Sequence, residues 1–283
     1  MTLPDPAPWP YPPQMTGVPH STPPRFTVVF VHIPKTAGIS LREALLANTI
    51  PHPSFRILHP IDDHTTLGAQ KPHVRASLGL VEGHLYYGVH ELLSQPTVYV
   101  TMLRHPVERA LSYYSFIREW QPHHLYERVN RERLSLLDCF RTRLTVELDN
   151  FMVRCLTSLR NVHVPFGGVT REMLIEAKAH LDSIAGLGIT ESFADSLRYL
   201  SHVFGWPASV EQRLNTTTER LRRDALSADD LDAIMAHNAL DAELHAYGKQ
   251  LFDARLARAF GPAAAPGVEN PVAPAPPPAV PRG

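Results

Sequence analysis

Cysteine is nearly missing from this chain. There are two, Cys139 and Cys155, in no CxxC pair, which argues against a disulfide framework and against a cysteine zinc cluster. Long apolar runs are missing as well: no stretch of 18 apolar residues is available to span a bilayer. The opening residues lack the basic start and apolar core of a signal peptide, so a cytoplasmic location is expected. An excess of either charge is absent too. Lys and Arg number 27 against 28 Asp and Glu, a formal net charge of −1. Such a balance supplies no global positive field to draw the chain onto nucleic acid or an anionic membrane, so any anion site must be local.

Proline is abundant, and it is confined. Of 27 prolines, nine fall in residues 1–24 and eight in 262–283. Segments of that composition favour extended, solvated chain, and both ends are expected to be disordered tails. The folded domain is then 25–261, a length that suits one globular unit. No internal repeat is evident.

Within that domain, strand-like and helix-like patterns alternate. Residues 26–33 carry an apolar run through Val31, the mark of a parallel strand buried on both faces. Leu41, Ala44 and Leu45 begin a helix after it. A second run, Leu78 to Val81, ends in Glu82-Gly83-His84, and a third, "TVYVTML", ends in Arg104-His105-Pro106. Pro106 is well placed in a first helical turn. Val107, Ala110, Leu111, Tyr114 and Ile117 keep helical spacing behind it. Later the pattern is mostly helical. Leu148, Phe151, Met152, Cys155, Leu156 and Leu159 make one stripe, and 170–183 and 191–204 read as helices around a short strand at 184–189. Ser227 is a helix cap before Ala228-Asp229-Asp230. The fold class predicted is α/β: a P-loop-like, three-layer α/β/α sandwich with a central parallel sheet and additional C-terminal helices. Ligands on such sheets sit beyond the carboxyl ends of the strands. Three of those ends carry Lys35, His84 and Arg104.

At the first end, Pro34-Lys35-Thr36-Ala37-Gly38-Ile39-Ser40-Leu41 turns from strand to helix. The unpaired N–H groups from Gly38 to Leu41 suit an anion, with Lys35 as a mobile charge and Ser40 as a hydroxyl donor. Here the lysine precedes the glycine, unlike GxxxxGK[ST], and no hydroxyl follows a lysine at the helix start to hold magnesium. A phosphosulfate, less charged than a triphosphate, fits better. At the second end, Arg104 offers a planar fork for phosphate oxygens. Ser112, two turns into the next helix, lies off its apolar stripe and completes a second phosphate site. Arg109 beside it reads as a structural salt-bridge partner.

The pair "HIPKTAGISL" and "TMLRHPVERALSYY" closely resembles the two nucleotide-binding motifs of the sulfotransferases. Among these it resembles the carbohydrate sulfotransferases of the heparan sulfate 2-O and 6-O type, together with their bacterial counterparts. Weaker resemblance runs through "VEGHLYYGVHELL", "LDNFMVRCLTSL", "GITESFADSLRYL" and "RLNTTTERL", covering most of 26–255 and neither tail. The family implies 3′-phosphoadenosine 5′-phosphosulfate as donor. It implies Lys35 through Leu41 on the 5′-phosphosulfate and Arg104 with Ser112 on the 3′-phosphate. The acceptor it implies is a hydroxyl, on a glycan or glycoconjugate.

Sulfuryl transfer needs a base for the acceptor hydroxyl, and histidine is the default near neutral pH. His84 resembles the Gly-His catalytic position of the 2-O-type enzymes; Lys35 would stabilise the leaving phosphate. His90 and Glu91 are the alternative bases, and His32 is expected to support the loop. Asn150 and Arg154 match an Asn and Arg of the family near the donor or acceptor cleft, and a solvated pair is the other reading. Asn215, in Asn215-Thr216-Thr217-Thr218, is a candidate to close over the nucleotide. Phe193 and Trp206 could stack on adenine or belong to the core. The segment "REWQPHHLYERVNRER" reads as a solvated helix or as a contact for an acidic glycan. His52, His59, His64 and His73 match no zinc spacing, so no metal is expected. Two other function classes stay open. One is a magnesium–ATP kinase-like enzyme, which the lysine-before-glycine order opposes. The other is a non-catalytic nucleotide-binding or interaction protein.

Overall fold

The computed structural model describes residues 15–16, 24–49, 51–206 and 223–261. The Val-rich run at 27–31 forms β2 (Thr27–Val31), every residue of it buried. It is the central strand of a sheet of order β1-β3-β4-β2-β5-β6. The other members are β1 (Met15–Thr16), β3 (Ser54–Ile57), β4 (Leu80–Gly83), β5 (Thr97–Leu103) and β6 (Gly186–Ile189). Five strands, β3 to β6 with β2, run parallel. Only β1 is antiparallel, pairing Met15 with Phe55 and Thr16 with Ser54. Those two residues lie in the leading proline-rich segment, most of which, like 262–283, falls outside the described residues.

Strand side chains alternate between two apolar layers. Val29, Val31, Ile57, Val81, Leu187 and Ile189 face one. There they meet α2 (Pro60–Ala69), α7 (Phe151–Leu156), α8 (Arg171–Ser183) and α11 (Ala239–Phe260) through residues such as Leu67, Met152, Leu181 and Phe252. Val28, Phe30, Leu80, Val100 and Met102 face the other, under α1 (Gly38–Thr49) and α9 (Phe193–Phe204). Each fully buried Leu or Phe here contributes about 1.5–3 kcal/mol. A third cluster holds α4 (Pro106–Glu119), α5 (Tyr126–Arg131), α6 (Leu136–Arg141) and α10 (Ala228–His237) together beside the sheet. The remaining helix, α3 (Pro72–Ser77), leads into β4.

Strands expected at 26–33, 78–81, 97–103 and 184–189 form at Thr27–Val31, Leu80–Gly83, Thr97–Leu103 and Gly186–Ile189. Ser227 caps α10 in a reciprocal box with Asp230. Two expectations are corrected. The stripe from Leu148 to Leu159 is not one helix: α7 is only six residues long, flanked by 3-10 turns at Val146–Leu148 and Leu159–Asn161. Asn150, with φ 44°, breaks the helical path, and its backbone N–H goes to the carbonyl of His237 at 3.1 Å. Nor is "REWQPHHLYERVNRER" one solvated helix. α4 ends at Glu119 and a turn carries His123, 6% exposed, back against Tyr113 and Phe116.

Cys139 and Cys155 are free and buried in different clusters. Burial pushes the Cys139 thiol up to about 11. Among the described residues no helix is long and apolar enough to cross a membrane.

Candidate functional site

The parallel strands direct the ends of β2, β4 and β5 to one edge of the sheet, and each end continues into polar residues. After β2 the backbone takes positive φ at Lys35 (70°) and again at Ala37 (63°). Alternation of that kind gathers successive N–H groups into a concavity suited to an anion. Thr36 between them turns inward: it is buried, and its hydroxyl donates to the Ile33 carbonyl at 2.8 Å. The first helical bond of α1 runs from the Leu41 N–H to the Ala37 carbonyl at 3.3 Å. Leu41 is therefore removed from the expected set of anion donors. Gly38, Ile39 and Ser40 precede that bond and supply the first-turn amides.

Gly38 has a second reason to be glycine. A Cβ there would stand 2.0 Å from Cδ2 of His32, so the space left by the missing side chain is filled by that imidazole. His32 stacks on Phe30 (5.3 Å, 10°) and on His84 (5.4 Å, 22°). The three rings form a ladder because Phe30 and His32 share a strand face and His84 stands next to His32 in the β2–β4 register. The His32 N–H donates to the Gly83 carbonyl at 3.0 Å. Burial, and then the neighbouring His84, hold the His32 imidazole well below its ordinary range. His84, half-buried, is lowered too, chiefly by burial and then by Arg56. A neutral imidazole with a free lone pair is the form a general base requires.

Gly83, which precedes His84, has φ 130°, and a Cβ on it would lie 1.9 Å from the Ile57 carbonyl oxygen. Glu82, fully buried, pairs with Arg42 at 2.7 Å and Arg56 at 3.5 Å. That ion pair ties α1 and β3 to the strand that presents His84.

At the β5 end, Arg104 reaches across to the first loop. Its Nη1 donates to the Lys35 carbonyl at 2.8 Å. The Lys35 ammonium lies 4.2 Å from the centre of the Phe116 ring in α4. His123 meets the Phe116 ring edge-on at 5.5 Å, and burial, with help from His124 and Lys35, lowers it to about 4. Ser112 sits on α4, 8% exposed. Lys35, Arg104 and the Phe116 face of α4 thus converge above the ends of β2 and β5.

Other expected residues are elsewhere. Arg154 is fully buried and joins the Asp149 carboxylate and the Asp149 and Pro165 carbonyls. Asn150 accepts from the Asp241 N–H at 3.0 Å. Neither is solvated: Arg154 ties α7 to the segment at Val164 and Pro165, and Asn150 ties its start to α11. Arg109 is also corrected. It is fully buried, forms no ion pair among the described residues, and gives Nη2 to the Glu147 carbonyl at 2.5 Å. His90 is committed to Tyr99, whose hydroxyl meets its Nδ1 at 2.9 Å and its backbone N–H at 3.1 Å. Phe193 is a core residue, and Trp206 stacks on Phe204 at 4.7 Å. Asn215 lies outside the described residues.

Sequence reasoning missed Phe116, His123 and Glu147. The Glu147 carboxylate accepts from the Thr145 hydroxyl, and its charge acts to raise His84 against the effect of burial. Among the described residues no group of three or more His, Cys, Asp or Glu side chains converges as metal ligands would. No family model matches this chain, and no curated protein is significantly similar to it.

Proposed function

We propose that the chain is a sulfotransferase of P-loop-like architecture that uses 3′-phosphoadenosine 5′-phosphosulfate and a hydroxyl acceptor, with a carbohydrate as the expected acceptor class. The observation that carries the reading is the 2.8 Å bond from Arg104 to the Lys35 carbonyl. It joins the two loops that resemble the donor-binding motifs, and it does so beside a strand that ends in a histidine lowered into its neutral form.

In the proposed reaction the acceptor oxygen forms a bond to sulfur while the bond from sulfur to the bridging phosphate oxygen breaks. His84 takes the acceptor's proton. The charge left on the phosphate meets Lys35 and the first-turn amides of Gly38, Ile39 and Ser40. Arg104 and Ser112 hold the 3′-phosphate, so the nucleotide is fixed at two anchors. The hydroxyl that follows Lys35, on Thr36, is turned inward to the Ile33 carbonyl, and no lysine–hydroxyl pair opens α1 to hold magnesium, which favours this donor over ATP.

The test is transfer of labelled sulfate from the donor to a panel of glycans, with calorimetry comparing adenosine 3′,5′-bisphosphate and magnesium–ATP. Label on product and preference for the bisphosphate are expected. Preference for ATP, or no binding of the bisphosphate, defeats the reading.

A further inference from the structure

Lysine is scarce in this chain. There are four, Lys35, Lys71, Lys178 and Lys249, and the first of them follows the end of β2. A lysine carries a point charge on a flexible four-carbon stem. To meet a charge that develops on one atom, its head must be held in place.

At Lys35 the side chain is held at both ends. The backbone fixes its root: φ is 70°, and the carbonyl accepts from Arg104 at 2.8 Å. A ring fixes its head. The ammonium stands 4.2 Å from the centre of Phe116, well inside the roughly 6 Å over which an aromatic face attracts a cation. The ring is secured in turn. Trp120, one helical turn on, stacks with it at 5.0 Å and 18°, and His123 meets its edge at 5.5 Å. His123 is buried, and its Nδ1 accepts from the Leu125 N–H at 3.1 Å, which locks the turn after α4.

Packing alone does not account for an aromatic at this position. Phe116 is half-buried and belongs to none of the three apolar clusters. The place of the ammonium is also defined from two sides. Its charge acts on His32, which fills the space at Gly38, and on His123 in the turn after α4. Lys35 is itself half-buried. A charge that bears on both imidazoles lies between the β2 loop and α4.

We propose that Phe116 is a positioning residue: its ring, backed by Trp120 and His123, holds the Lys35 ammonium at a set point beside the loop that follows β2. Resting on the sulfotransferase reading, that point is where charge develops on the leaving phosphate. The ammonium is then in place before the reaction and need not be recruited during it. Phe116 acts through Lys35, not on the nucleotide.

The test uses the full chain, its four lysines labelled by reductive methylation with isotope-enriched formaldehyde, which keeps their positive charge. Lys35→Arg assigns the Lys35 methyl signal in the NMR spectrum. Ring current should displace that signal upfield of those of Lys71 and Lys249. Phe116→Leu should abolish the displacement, and Phe116→Tyr, which keeps the aromatic face, should preserve it. The Lys178 signal should stay in place in both variants; its ammonium lies 5.3 Å from the Tyr247 ring and so reports an intact fold. In single-turnover sulfate transfer, Phe116→Leu should be slower by about 3- to 30-fold. Phe116→Tyr should stay within about twofold of wild type, and adenosine 3′,5′-bisphosphate affinity within about threefold in both. An undisplaced Lys35 signal in the wild-type chain overturns the proposal. So does a Phe116→Leu variant that transfers sulfate at the wild-type rate, or one whose defect lies wholly in bisphosphate affinity. A displacement that depends on Phe116, in a chain with no affinity for the bisphosphate, supports the placement of the ammonium and removes the donor reading alone.

Discussion

The guanidinium of Arg104 donates to the backbone carbonyl of Lys35 across 2.8 Å. One side chain thereby fixes the geometry of the loop that carries the other, and a substitution at Arg104 acts in two places. A charge-assisted hydrogen bond contributes about 1.5–3 kcal/mol. Arg104→Ala should therefore weaken adenosine 3′,5′-bisphosphate by about 10- to 100-fold. Arg104→Lys should recover little of it, because an ammonium cannot present the same fork to the Lys35 carbonyl and to a phosphate. Calorimetry on both variants checks this; full recovery in the lysine variant would contradict it.

Lys35 occupies a left-handed conformation, φ 70°, that costs a non-glycine residue about 1 kcal/mol or more. Lys35→Gly should leave the fold as stable as wild type or about 1 kcal/mol more stable. The same variant should lower turnover on the proposed donor by about 10²-fold or more through loss of leaving-group stabilisation. Chemical denaturation and single-turnover assays separate the two effects. A variant that loses stability and activity together would point to a structural role for the ammonium on Phe116.

Gly38 and His32 should behave as one unit. Gly38→Ala places a methyl into the imidazole, at 2.0 Å from Cδ2, and should destabilise the chain by about 1–3 kcal/mol. In a His32→Ala background the same change should cost much less. The coupling, measured as a double-mutant cycle, should fall between about 0.5 and 3 kcal/mol. Additive effects would show that the ring moves aside freely.

Stability should fall with acid, and the sign follows from burial. His32 and His84 are lowered in the folded chain, so between the folded value and about 6.5 the unfolded chain binds more protons. Their contribution is fully present above about pH 6.5 and is lost as pH falls toward the folded values. Each such histidine adds up to about 1.4 kcal/mol per pH unit to the slope. His32→Phe should reduce that slope by about one proton in urea denaturation between pH 7 and 5. Under the proposed chemistry, kcat/KM should hold steady above about pH 6.5 and decline on the acid side, at a pH below the ordinary histidine value.

Legibility from sequence tracked the range of the interactions involved. The strand at 97–103 was readable because a continuous apolar run and Pro106 mark its limits, and Ser227 was readable because a cap and its partner lie three residues apart. The strand Ser54–Ile57 was not: it is four residues long, follows Pro53, and includes Arg56, whose partner Glu82 is distant in the chain. In the site, Lys35, His84 and Arg104 stood out because each follows an apolar run. Phe116 and His123 did not, since their placement against Lys35 depends on how α4 and its trailing turn pack across the sheet. Arg154 was misread for a related reason. A single arginine off a helical stripe looks solvated until the backbone of Asp149 and Pro165 closes around it.

The ring ladder of Phe30, His32 and His84 makes the loop after β2 and the proposed base share a party wall. A side chain added at Gly38 would thus press on His32 and be felt first as altered basicity at His84.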